Sequence, residues 1–126
     1  DGVALALPAL LRADKIQKRA ARIGFDWRDA QPVFGKLKEE IAELETELQK
    51  PAEHRALEEE MGDILFAAAN LARKLDIDPE AALRRATVKF ERRFRRVETL
   101  AAERAAGSDL DALEALWQQV KRDERE

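Results

Sequence analysis

From Phe34 to Leu75 the apolar residues recur at steps of three and four, and the pattern is broken once, at Pro51. That spacing is the period of an α-helix, not of a strand, whose apolar residues alternate. Phe34, Leu37, Ile41, Leu44 and Leu48 form one stripe, and Leu57, Met61, Ile64, Leu65, Ala68, Leu71 and Leu75 form a second. Proline removes a backbone donor and clashes with the preceding turn, so the stripes belong to two helices. The link around Pro51 is short enough to make them antiparallel neighbours. The hairpin is expected over about Asp29–Lys50 and Ala52–Leu75, with Asp29 as N-cap and Pro32 tolerated in the first turn.

The flanking segments read the same way. A first helix runs from Pro8, at the first helical position, to about Ile23, and Gly24 stops it. Asp78-Pro79-Glu80 reads as N-cap, first helical residue and acid favoured by the helix dipole. The helix it opens reaches about Ala106, with Leu83, Ala86, Phe90, Phe94 and Val97 inward. Gly107 suits a left-handed C-terminal cap, and Ser108 or Asp109 caps a fifth helix. No segment shows sustained two-residue alternation, so the expected fold is all-α, an antiparallel bundle of about five helices forming one domain over residues 1–126.

Composition supports a globular chain: 45% of the 126 residues are apolar although 39% are charged. Cysteine is absent, which excludes disulfides and thiolate metal sites. The apolar runs Ile64–Ala69 and Gly2–Leu11 fall far short of the roughly 20 residues of a membrane span. Gly2–Leu11 also lacks the basic leader and cleavage site of a signal peptide. A cytoplasmic protein without membrane association is expected. The net charge of −3 argues against general nucleic-acid affinity.

Carboxylates crowd the hairpin. Glu40 and Glu43 are three apart on its first helix, and Glu60 and Asp63 are three apart on its second, so each pair shares a face beside its own stripe. Each pair can therefore meet the other across the seam. Four converging carboxylates repel and resist ionisation unless a counter-charge is present. A hard divalent cation supplies one, and oxygen-only ligands suit Mg²⁺ or Mn²⁺ over Zn²⁺. The competing reading is that the glutamates decorate a solvated face. A di-iron centre is excluded, because it needs Glu-x-x-His pairs and the single histidine, His54, has Pro51 three residues before it. His54 is expected at the surface, at a helix start.

Further along, seven of the thirteen residues Arg84–Arg96 are basic. They either form a solvated face pairing with the acidic helices, or, through Lys89 and Arg93, hold phosphate oxygens. A nucleic-acid stripe is a third option, weakened by the overall charge. Asn70 continues the row of Glu60, Asp63 and Ala67 amid small apolar residues; it can read a base edge or cap a backbone group. Trp27 can stack on a base or simply pack. Trp117 and Lys121, four apart on the last helix, can close a site or dock the helix.

These residues together resemble the MazG nucleoside triphosphate pyrophosphohydrolases. The resemblance rests on E-E-x-x-E (Glu39, Glu40, Glu43) followed by E-x-x-D (Glu60 to Asp63). It extends over KIQKRAARIGFDW, EEEMGDILFAAANLARKL, DPEAALRRATVKFERRFRRVE and WQQVK, nearly the whole chain. The chain is most similar to the C-terminal, catalytic domain of two-domain members. The resemblance implies an all-α enzyme that hydrolyses nucleoside triphosphates to monophosphate and pyrophosphate with Mg²⁺. It implies Glu40, Glu43, Glu60 and Asp63 as metal ligands, and Lys89, Arg93, Trp117 and Lys121 as grips on triphosphate and nucleotide. Glu39 and Glu43 are the candidates for taking the proton of the attacking water. A homodimer or larger assembly is also implied, with Val88, Leu100, Leu113, Leu116 and Val120 as the apolar surface available for it. The alternatives are a non-catalytic nucleotide-sensing module and a helical interaction domain.

Overall fold

A computed structural model describes residues 3, 5–51, 53–104 and 109–125. The chain is all-α, with helices α1 (Ala9–Arg22), α2 (Ala30–Leu48), α3 (His54–Lys74), α4 (Pro79–Glu103) and α5 (Leu110–Arg125). No strand occurs among the described residues. Two compact units divide it, one ending at Ala82 and the other beginning at Leu83 within α4.

The caps follow the sequence closely. The Asp29 side chain accepts from the Gln31 amide at 3.0 Å, and that of Asp78 accepts from Glu80 at 2.9 Å. Pro8 takes the N-cap position of α1 rather than the first helical one, and its carbonyl accepts from the Arg12 amide at 2.9 Å. At the other end Gly24 has φ 91°, with Gly24 N bonding Ala21 O and Phe25 N bonding Ala20 O. These are the two bonds of a Schellman motif, in which a residue without Cβ occupies the left-handed position. The same pair of bonds ends α3, from Asp76 and Ile77 to Arg73 and Ala72, but there the left-handed residue is Asp76, φ 58°. His54 is exposed at the start of α3, as expected. Gly107 and Ser108 lie outside the described residues, while the Asp109 carbonyl accepts the first α5 bond, from Leu113.

In the first unit α2 and α3 form the antiparallel hairpin. Contacts from Gln17 to Phe66 and from Asp26 to Arg73 and Lys74 set α1 alongside α3 in the same direction. The core is small: Val33, Ala67 and Ala69, together with the polar Asp14, Gln17 and Glu40. Here the expected stripes divide. The seven-residue rows Leu37–Leu44 and Leu57–Ile64–Leu71 are half-buried at the seam. The rows Phe34–Ile41–Leu48 and Met61–Ala68–Leu75 remain exposed, as does Leu65. A helix presents an apolar arc wider than one neighbour covers, so the second row of each helix has no partner within this unit.

In the second unit Val97, Leu100, Leu116 and Val120 form a buried cluster, with Ala101, Leu113 and Trp117 packed against it. This corrects two expectations. Leu83, Phe90 and Phe94 are about half exposed rather than inward, and only Val97 of that stripe is buried. Leu100, Leu116 and Val120 are used up in joining α4 to α5, so of the surface expected to serve assembly only Val88 is well exposed.

Candidate functional site

The hairpin delivers the convergence that its spacing promised. Glu40, Glu60 and Asp63 each bring a carboxylate oxygen to within 4.8 Å of the other two. Glu40 is buried and Glu60 half-buried, while Asp63 is exposed. Glu40 is buried in the same wall as Val33 and Ala67. One Glu40 oxygen accepts from Lys36 Nζ at 2.8 Å, one turn back on α2. The other, Oε2, is buried without a partner, and so is Oε2 of Glu60. A buried acceptor left unpaired costs roughly 1–3 kcal/mol, more if charged. Two such oxygens facing one cluster are the donor set a hard cation requires, so these residues fit Mg²⁺ or Mn²⁺.

Glu43 lies outside that triad. It is exposed, yet its carboxyl is held above its ordinary value, first by the charge of Glu40 and then by desolvation, Glu60 and Glu39. Lys36 is likewise held above its ordinary value, its ammonium favoured chiefly by its hydrogen bond to Glu40. Glu39 points to the outer side of α2, 3.9 Å from Lys36. A single lysine thus faces a larger group of carboxylates, and the negative charge stays uncompensated.

Glu40 and Asp63 border a cavity of about 790 Å³. Along α3 its wall runs through Asp63, Phe66, Asn70 and Arg73, about 15 Å at the helical rise. Gln17 lines it from α1, and Phe25, Asp26 and Trp27 from the link between α1 and α2. Sequence reasoning named Asn70 and Trp27, and both are here with Glu40 and Asp63. Asn70 Oδ1 accepts from Arg73 Nε at 3.1 Å and from its terminal nitrogen at 2.7 Å. Arg73 also grips Asp26 with both terminal nitrogens. Lys74 Nζ bonds Asp26 at 3.2 Å and the Trp27 carbonyl at 2.6 Å. These donors, Arg73 foremost, hold the Asp26 carboxyl far below the usual range. The strap carrying Trp27 is thereby pinned to the end of α3.

Sequence reasoning missed Gln17, Asp26, Lys36 and Arg73. Lys36 carried a usable signal, a basic residue four before Glu40. Gln17 carried another, a polar residue on the apolar face of α1 marked by Ala13, Ile16 and Ala20. Asp26 and Arg73 pair across 47 residues of sequence, and no local pattern announces such a pair.

The second unit carries the remaining candidates. Arg93 is held by Glu124 through two nitrogens, each at 2.9 Å, and its guanidinium lies 5.9 Å from the Trp117 ring centroid. Arg92 reaches the same carboxylate at 3.6 Å, and Glu124 is lowered from its ordinary value, first by the Arg93 hydrogen bond. Phe90 tilts against Trp117 at 5.3 Å. Lys89 and Lys121, each one helical turn from this group, make no ion pair among the described residues.

Residues 30–97 match the MazG nucleotide pyrophosphohydrolase domain. The chain is 52% identical over 128 residues to the nucleoside triphosphate pyrophosphohydrolase of Escherichia coli (strain K12), covering 98% of this chain and 49% of that protein. It is 42% identical over 118 residues to the nucleoside triphosphate pyrophosphohydrolase/pyrophosphatase MazG of Thermotoga maritima, covering 91% and 45%. The chain therefore spans about half the length of these relatives. Because the matched segment contains the whole carboxylate hairpin and more than half of the residues, this chain belongs to the MazG nucleotide pyrophosphohydrolase domain family.

Proposed function

We propose that this chain hydrolyses nucleoside triphosphates to nucleoside monophosphate and pyrophosphate in the cytoplasm, with Mg²⁺ as its resident ion and Mn²⁺ as a substitute. The observation that carries the reading is the pair of buried, unpartnered oxygens on Glu40 and Glu60 within a three-carboxylate cluster. The printed names of the relatives support the same activity. Glu40, Glu60 and Asp63 hold the ion, and Glu43, one turn from Glu40, is the fourth carboxylate. When bound, the ion supplies the positive charge that offsets both the carboxylates and the phosphate oxygens.

The residues of the chain do the rest. The cavity length along α3 suits a nucleotide laid with its phosphates towards Asp63 and its base towards Asn70 and Trp27. Water adds at the α–β phosphoanhydride, the bond to the departing pyrophosphate oxygen breaks, and a carboxylate takes the water's proton. Glu43, whose carboxyl is raised by Glu40 and Glu60, is better suited to this than Glu39 beside Lys36. In the second unit Lys89, Arg93, Trp117 and Lys121 are the positions that the resemblance proposes as grips on triphosphate and nucleotide, a role in which phosphate would displace Glu124 from Arg93. Broad base specificity is part of this proposal, supported by the apolar share of the lining, Ile16, Ala20, Phe25, Val33, Phe66 and Ala67. The uncovered rows Phe34–Ile41–Leu48 and Met61–Leu75 support a homodimer or larger assembly, in which a second copy covers them.

The direct test incubates the protein with the eight common ribo- and deoxyribonucleoside triphosphates and Mg²⁺ and assays pyrophosphate. Release with several of them is expected. Binding without release from any would replace hydrolysis with nucleotide sensing.

A further inference from the structure

Gln17 is buried in the wall of the cavity with half of its amide unused. It is 6% exposed, and its Nε2 donates to the Phe66 carbonyl at 3.0 Å. A carbonyl only accepts, so this bond fixes which end of the amide is which. Oε1 is the free end, and nothing among the described residues donates to it. The same logic applies one turn further along α3. Arg73 has only donors, and it occupies Oδ1 of Asn70, so the free end of Asn70 is its N–H₂ group. Gln17 and Asn70 both line the cavity, the one with an unpartnered acceptor and the other with an unused donor. The protein fixes both orientations.

Building on the nucleotide reading above, we propose that Gln17 is a base-reading residue whose Oε1 accepts an N–H of the nucleobase, while Asn70 donates to an adjacent ring nitrogen or carbonyl. The common bases all place an N–H beside an acceptor on one edge. The pair selects for a base that has an N–H and discriminates little among bases that do. A base without one leaves Oε1 buried and unpaired, the situation that lets polar sites reject analogues strongly. The carboxylates are indifferent to this choice.

The test compares kcat/KM for ATP, ITP and purine riboside triphosphate, whose ring has neither a 6-amino group nor an N1–H. The wild-type protein is expected to favour the first two by roughly tenfold, about the value of one net hydrogen bond. Gln17→Met should lower kcat/KM for ATP and ITP, mainly through KM, leave purine riboside triphosphate unchanged and bring the preference near one. An equal loss on all three substrates marks Gln17 as merely structural and overturns the proposal. So does a wild-type preference near one, a result that does not depend on the variant folding. If none of the three is hydrolysed, the hydrolase reading fails, and the same ratios taken from Kd by calorimetry still decide the role of Gln17. No binding of any of the three overturns both.

Discussion

The carboxylates of α2 and α3 and the guanidinium groups of α4 are both crowded on one helix face, yet the two units handle their charge in opposite ways. In the second unit Arg92 and Arg93 share the Glu124 carboxylate near the surface, so that each has an ion-pair partner. In the first, Glu40, Glu60 and Asp63 converge with Lys36 as the one cation paired to them among the described residues, and two of their oxygens are buried without a partner there. Exposed pairs cost little to form and contribute little. Buried, unmatched carboxylates cost stability, and a fold retains such an arrangement where something outside the chain completes it. The contrast is what favours the carboxylate cluster as the place that a ligand completes.

The largest effect should come from removing charge where it is uncompensated. Glu60→Gln keeps the volume and removes one ligand. Pyrophosphate release should fall on the order of 100-fold or more, since charge stabilisation of several kcal/mol is lost. In metal-free buffer the same variant should melt higher than wild type, by about 1 kcal/mol or roughly 3–5 °C, because a like-charge repulsion is relieved. Adding Mg²⁺ should raise the melting temperature of the wild type and much less that of the variant. Calorimetric melts with EDTA and with Mg²⁺ check both signs. A variant that melts lower without metal would show that the cluster is not self-repelling.

An intermediate effect is expected at the strap, which pairs its charge as the second unit does but in a less exposed setting. The side chain of Asp26 is 21% exposed, and Arg73 and Lys74 share it. Asp26→Asn should cost about 1–2 kcal/mol at neutral pH, the range of a charge-assisted bond at a partly covered site. The pH dependence has a definite sign. The folded carboxyl lies below its unfolded value, so its stabilisation is complete above that ordinary value, near 4, and is lost as pH falls towards the folded one. The melting difference between wild type and Asp26→Asn should therefore be largest near pH 7 and shrink below about pH 4. A difference that does not vary with pH would assign the loss to packing.

The sequence was most informative where the governing interaction is local. The 3–4 spacing, Gly24, Asp29 and Asp78 placed α1, α2, α3 and the start of α4 to within a residue or two, whereas the expected end of α4 at Ala106 lies outside the described residues, and the three-residue carboxylate spacing located Glu40, Glu60 and Asp63. What it concealed depends on partners distant along the chain. Periodicity shows that Phe34 and Leu37 are both apolar but not which row finds a neighbour, and here one row is covered while the other is not. Leu100 read as surface because its partner, Leu116, lies beyond a helix break. Asp76 ends α3 in a left-handed conformation usual for glycine, and its side chain is no reliable marker of that position. Arg73 escaped notice because its two roles, holding Asp26 and orienting Asn70, join segments 47 and 3 residues away.

The smallest effect concerns Glu124, where the comparison can be sharpened. Glu124→Gln removes the carboxylate from Arg92 and Arg93 but leaves Arg93 over Trp117. An exposed pair of this kind contributes little, so the melting temperature should stay within about a degree of wild type. Function should respond differently if Arg93 serves the triphosphate. Without its internal partner the guanidinium is free to engage phosphate, so KM should fall slightly, by roughly twofold or less, with kcat unchanged. Arg93→Gln should raise KM several-fold at a similarly small change in melting temperature. If both variants match wild type in KM, the basic face of α4 is a solvated surface, and the triphosphate is held by other groups.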